Sequence, residues 1–408
     1  MSSDTTTVDH ATSPAKMEAG GDEAAYRQRS KIGIRERIGC FTWANFTATQ
    51  STGGIAALLS LTPHQFSGLN TIGVIVFIFN LVLLCIFAGV MTARAVFFPR
   101  RFKRSFIHAP EAFFYGSFWL TLATVIICIQ RFGVPKGGPW LVVLVRILFW
   151  IYAAVVTLNA TIHMLFIFTK TKISTHEMNP AWFLLVFNTM LTGTVASAIA
   201  SDQPPVQRLP ILVAGVAFQG YGFLMSMVLL AIFFANLLEH GLPANDQLPG
   251  LFMPVGASGY TIVALIGCSR AIPEGYAYFA THPMAPEILR AVATWASIFI
   301  WYLTFWMFAI ALLGTLSQAF PFQRGHYKPR MHFKLSWWAM IFPNVGFALA
   351  TTYIGQELES QAIQWIASVM TILLVATWLL DLALMAKAIL TRQIYWPGQD
   401  EDKGMDLS

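Results

Sequence analysis

Two neighbouring stretches decide the fold: FTWANFTATQSTGGIAALLSL at 41–61 and IGVIVFIFNLVLLCIFAGV at 72–90. Each is long and apolar enough to cross a hydrocarbon core of ~30 Å, which takes roughly 20 residues of helix. They differ in kind. The first carries Thr49, Gln50, Ser51, Thr52, Gly53 and Gly54 at mid-depth, whereas the second is bulky and continuous. Lipid satisfies no hydrogen bonds, so the polar stretch must face protein or water, while the bulky one can face lipid.

The contrast recurs along the chain. Ten candidate spans lie at about 41–62, 69–93, 111–132, 140–168, 180–200, 210–236, 249–269, 287–317, 334–355 and 362–390. Polar and small residues gather in the odd spans: Asn188, Thr192, Gly193 and Thr194 in the fifth, Gly256, Ala257, Ser258 and Gly259 in the seventh, Asn344 and Gly346 in the ninth. Pro254 and Pro343 also lie well inside odd spans, where a proline breaks the helix and frees backbone groups. The openings HAPEAFFYGSFW, MNPAWFLLVFN, LPGLFMPVGASG and KLSWWAMIFPNVG resemble one another, a weak internal repeat. The expected fold is all-α and polytopic, ten transmembrane helices arranged as five helical hairpins around a central pore, odd helices inside and even ones outside. Taken singly, each small-residue cluster fits tight helix packing better. Their joint restriction to odd spans favours a conduit.

Composition agrees: 56% of the 408 residues are hydrophobic and 11% charged, against ~25% charged in soluble chains. With a mean hydropathy of +0.59 this excludes a soluble enzyme, a disordered chain and a disulfide scaffold. The net charge of +6 records topology, not nucleic-acid binding. One side of the membrane receives Arg27, Arg29, Lys31, Arg35, Arg37, Arg100, Arg101, Lys103, Arg104, Lys170, Lys172, Arg324, Lys328, Arg330 and Lys334. The other receives Arg131, Lys136, Arg208, Arg270 and Arg290. By the positive-inside rule the first side is cytosolic and holds both termini. The expected organisation is a cytosolic tail at 1–38, a transmembrane domain at 39–392 and a cytosolic tail at 393–408.

The odd spans contain no Asp, Glu, Lys or Arg at mid-depth. Arg146 and Asp381 lie on even spans and read as packing or snorkelling charges; His163 reads as a hydrogen-bonded imidazole and the four cysteines as packing residues. A path of hydroxyls, amides and freed backbone N–H groups suits an anion without trapping it. Its candidate residues are Thr49, Gln50, Ser51, Thr52, Gly53, Asn188, Pro254, Gly256, Ser258 and Asn344. Nine helical residues beyond Phe333, Phe342 sits roughly 13 Å deep beside Pro343, where its ring can project into the path. No GxxxxGK[ST] loop, HExxH or Ser-His-Asp arrangement is present, so the chain reads as neither a nucleotide-driven pump nor an enzyme, with no metal and no cofactor. Proton coupling would enter with the substrate as its monoanion.

At this point the stretches FTWANFTATQSTGGIAALL (41–59), GLNTIGVIVFIFN (68–80), NPAWFLLVFNTMLTG (179–193), LPGLFMPVGASGYTIVALI (248–266) and WWAMIFPNVGFALATTYIG (337–355) carry a resemblance. They are similar to the tellurite-resistance/dicarboxylate transporter family, which includes slow anion channels and sulfite efflux pumps. IFPNVGF and GLNTIG resemble its malate branch, as does WPGQDED at 396–402. The resemblance implies five hairpins around a pore, a homotrimer in the plasma membrane, and a ninth-helix phenylalanine, here Phe342 with Pro343, closing the pore. It implies malate and other C4-dicarboxylates as cargo of a secondary or passive gated pore. VFNTMLTG and TQSTGG depart from the malate pattern, which leaves export of sulfite or a specialised organic acid as the alternative. A membrane scaffold with a vestigial pore is a further one.

Overall fold

The computed structural model describes residues 32–171, 173–175, 178–319, 331–397 and 401. The expectations for Arg27, Arg29, Lys31, Lys172, Arg324, Lys328 and Arg330, and for most of both tails, lie outside these residues. Among the described residues all regular structure is helical. Ten helices carry the fold: α1 Phe46–Leu61, α2 Leu69–Phe97, α3 Tyr115–Cys128, α4 Pro139–Lys170, α5 Leu184–Ile199, α6 Pro205–His240, α7 Met253–Arg270, α8 Ala285–Ala319, α9 Phe342–Glu357 and α10 Gln361–Leu390.

Counted with the helical turns joined to them, eight are long and apolar enough to span a membrane. The exceptions, α1 and α9, have 16 residues each, ~24 Å of helix. Both are preceded by tighter 3-10 turns, Trp43–Asn45 before α1 and Leu335–Met340 before α9. The same device precedes α5 at Pro180–Phe183 and α7 at Asn245–Phe252. Three of the four aromatic openings noted in the sequence contain these turns, while HAPEAFFYGSFW begins with a short α-helix at Ala109–Ala112.

Proline chemistry explains two of the junctions. A proline lacks the N–H and its ring collides with the carbonyl four residues back, but in a first turn neither matters. Pro254 and Pro343 each occupy the first turn of an α-helix, and the break falls just before it. Ile341, at φ −97° and ψ −68°, is the pivot ahead of α9. Against expectation, α6 starts at Pro205 and not at 210, so Pro210 lies inside an even helix.

The odd helices form a closed ring: α1 packs on α3, α3 on α5, α5 on α7, α7 on α9, and α9 back on α1. Each even helix leans on this ring from outside, α2 on α1, α4 on α5, α6 on α5 and α7, α8 on α7 and α9, α10 on α9. Burial follows the ring. In the apolar windows of the third, fifth and seventh spans 67%, 89% and 94% of residues are buried, against 22–33% in the five even ones. Side chains such as Phe79, Ile86, Phe299 and Ile372 remain exposed on the even helices, as lipid contact requires.

Small residues let the ring close. A Cβ on Gly259 of α7 would stand 2.8 Å from the Gly346 carbonyl carbon of α9, a distance real side chains do not reach. The two backbones touch there because neither residue has a side chain. The described segments before α1 and after α10 meet on one face of the bundle: the Tyr395 hydroxyl donates to Asn45 Oδ1 at 2.6 Å, and the Arg37 guanidinium lies 4.6 Å from the Trp396 ring. Ile394 and Trp396 are buried, so the first residues after 392 pack onto the helices.

Candidate anion pathway

The centre of the ring contains two chambers with Phe342 in the wall of both. The proximal chamber, on the side of Asn45 and Tyr395, is a cavity of about 10 Å3 lined by Thr47, Gln50, Phe187, Ser336 and Pro343 among others. The distal chamber is a cavity of about 20 Å3, and all five odd helices contribute to it, including Gly54, Thr124, Thr194, Tyr260 and Tyr353. Phe342 itself is 1% exposed. Its ring centroid lies 4.9 Å from that of Tyr260, whose hydroxyl donates to the Phe342 carbonyl at 2.9 Å. Across the ring, Gly54 leaves the space: a Cβ there would come within 3.3 Å of Phe342 Cδ2. An aromatic ring thus separates two narrow, mostly apolar spaces on the axis of the bundle.

Lining residues fall on regular stripes. On α1 they are Thr47, Gln50, Gly54, Ala57 and Leu61; on α5 they are Leu184, Phe187, Leu191, Thr194, Ser197 and Ala198. Spacings of three and four residues keep a helix face turned one way. Consecutive residues cannot all share that face, and this sorts the expected pathway residues. Gln50, Phe342 and Pro343 reach the chambers. Thr49 turns to α3, its hydroxyl 2.8 Å from that of Thr121. Ser51 donates to the Trp338 carbonyl at 3.2 Å, and Thr52 accepts from Trp378 Nε1 of α10 at 3.1 Å. Gly53 admits Thr124 and Asn80, whose atoms would meet a Cβ at 2.3 and 2.8 Å. Gly256 admits Phe187 and Pro343, each 3.3 Å from a Cβ there.

The remaining three polar candidates and Pro254 also lie off the chamber walls. Asn188 Oδ1 accepts from the Thr189 N–H at 2.7 Å, Ser258 hydroxyl reaches the Val255 carbonyl at 3.4 Å, and Asn344 Nδ2 donates to the Met340 carbonyl at 2.7 Å. Polar lining residues outside the candidate pathway set are Thr47, Thr124, Thr194, Ser197, Tyr260, Ser336, Arg131 and Tyr353. Phase is the signal that finds two of them: stepping by three or four from Gln50 lands on Thr47 and Gly54, and from Phe342 on Val345, Leu349 and Tyr353.

Charge is nearly excluded from the chamber walls, where Arg131 is the one charged side chain among the described residues. His163 faces the Phe106 carbonyl at 3.1 Å and is hydrogen-bonded, as expected. Asp381 is fully buried against the bundle and does not line a chamber.

Comparison with known proteins accords with this architecture. The family model described as voltage-dependent anion channel matches residues 40–386, which is the whole helical bundle. The chain belongs to this family. It is 33% identical over 371 residues to the malic acid transport protein of Schizosaccharomyces pombe, an alignment covering 91% of this chain and 83% of that one. A putative malic acid transport protein of the same yeast is 31% identical, with 91% and 85% covered. A sulfite efflux pump of Arthroderma otae is 27% identical, with 86% and 91% covered. The resemblance drawn from IFPNVGF and GLNTIG is borne out, and the chain is a multi-pass membrane protein of an anion-transporting family.

Proposed function

We propose that the protein carries C4-dicarboxylates such as malate across the plasma membrane, through the ring of odd helices, with Phe342 as a movable plug between the two chambers. The observation that carries this reading is the position of Phe342 in the wall of both chambers, in a chain 33% identical to a malic acid transport protein. Gln50, Pro343 and the hydroxyls of Thr47, Thr124 and Thr194 line the route. Thr49, Ser51, Thr52, Gly53, Asn188, Pro254, Gly256, Ser258 and Asn344 support it from behind. In this reading α1 and α9, with their 3-10 turns, complete ten spans, and the boundaries at 38 and 392 stand.

Arg35, Arg37, Arg100, Arg101, Lys103, Arg104, Lys170 and Lys334 support cytosolic termini. The protein is a carrier and not an enzyme, its assembly is a homotrimer, and protons travel on the substrate monoanion. Uptake of labelled malate in a yeast strain lacking its own dicarboxylate carrier tests the reading, with faster uptake expected from acid medium. Absence of flux of any C4 acid at acidic and neutral pH removes it. The sulfite-pump relatives favour one second reading, sulfite export, for which overexpression would restore growth in sulfite.

A further inference from the structure

Arg131 stands alone as a charge on the walls of this pathway, and its surroundings identify what it is for. It lies in the π-helical turn Ile129–Gly133 that extends α3. Such turns rotate a side chain out of the preceding helical register and often occur at functional positions. The guanidinium reaches the distal chamber, where Nη2 donates to the Tyr353 hydroxyl at 3.4 Å and Nε is buried without a hydrogen-bond partner. Acidic groups in this region are engaged elsewhere. Asp202 accepts from Gln130 Nε2 at 2.5 Å, and Glu357 accepts from Arg270 at 2.5 Å and from Arg290 at 2.8 Å. Among the described residues no carboxylate pairs with Arg131.

Thr194 Oγ1, on the wall of the same chamber, is also buried with no partner. A buried guanidinium N–H and a buried hydroxyl left unsatisfied are costly unless something with acceptor oxygens serves both. We propose that Arg131, Thr194 and Tyr353 form a carboxylate-binding site in the distal chamber, which holds one end of a small dicarboxylate beside Phe342 once that ring swings aside and the chamber, about 20 Å3 at rest, widens. The planar guanidinium suits a carboxylate's two oxygens, and the hydroxyls of Thr194 and Tyr353 supply additional donors. This rests on the dicarboxylate reading above and assigns the residue that recognises the substrate's charge.

Thermal stabilisation of the purified full-length protein by malate, sulfite and chloride tests the site separately from flux. Wild type is expected to gain stability with malate. Arg131→Gln should weaken the apparent malate affinity at least tenfold, Thr194→Val should weaken it less, and Arg131→Lys, which keeps the charge, should fall between wild type and Arg131→Gln. An Arg131→Gln protein that stays monodisperse and binds malate within twofold of wild type overturns the proposal, as does a wild type that malate does not stabilise. Sulfite stabilisation lost in Arg131→Gln, with malate inert, overturns the dicarboxylate assignment. Malate binding lost in Arg131→Gln, in a protein whose liposomes carry no malate, upholds the site and removes only the transport reading.

Discussion

At the scale of single residues, Phe342 is defined by three contacts: the Tyr260 ring and hydroxyl on one side, the bare backbone of Gly54 opposite, and Pro343 next in chain. A ring that adds even ~1.4 kcal/mol to the passage barrier slows passage tenfold. Phe342→Ala should therefore raise anion conductance at least about tenfold in planar bilayers, whereas a scaffold with a vestigial pore would stay silent. Tyr260→Phe removes one buried hydrogen bond, worth about 1 kcal/mol, to the carbonyl of the plug residue. Its expected signature is a higher resting conductance with ion selectivity unchanged, read in the same bilayers.

At the scale of elements, the ends of α2 and the start of the third span are joined by a fully buried ion pair. Arg94 holds Glu111 through two hydrogen bonds, one of them Nη2 to Oε2 at 3.0 Å, and both side chains are 0% exposed. Glu111 also accepts the Trp43 N–H at 3.3 Å, which ties in the turn leading into α1. Removing one partner leaves a buried charge, and such losses run to ~3–5 kcal/mol. Arg94→Met alone should lower the unfolding temperature of the purified protein clearly. Arg94→Met with Glu111→Met should recover much of that loss, because an apolar pair carries no desolvation cost. A double variant no more stable than the single one would mean the pair does more than compensate its own burial. Glu111 is the first residue of the third expected span, and its partner is not legible in the sequence because Arg94 belongs to a different helix and lies 17 positions away.

For the whole molecule, the ring of odd helices, the outer layer of even ones and the meeting of the segments that flank the bundle make one testable topology. Exposed single cysteines at Ala244, between α6 and α7, and at Glu274, between α7 and α8, lie on opposite faces of the bundle. With the four native cysteines replaced, an impermeant maleimide added to intact cells should label Glu274→Cys and spare Ala244→Cys. The reverse pattern would invert the orientation drawn from the positive charges. On the Glu274 side, Glu357 ties together the ends of α7, α8 and α9 through Arg270 and Arg290. Opposite it, Tyr395 and Asn45 tie the last helix to the first.

The chain's sequence determined the membrane class, the alternation of inner and outer helices, and the prolines that start α7 and α9. Each of these follows from local facts: hydropathy averaged over a span, the side-chain bulk of a helix, a ring that removes one N–H. Which residues of an inner helix face the path was decided only by the tertiary structure. Thr49, Gln50, Ser51, Thr52 and Gly53 are equally small or polar in the sequence, yet helical rotation sends Gln50 alone to a chamber and the others to α3, to the 3-10 turn before α9, to α10 and to α2. Polarity in a lipid-excluded helix is satisfied as well by a neighbouring helix as by a path, so composition cannot tell the two apart. Arg131 shows the converse, since its position at the end of a span reads as a loop charge until the π-helical turn carries it into the distal chamber.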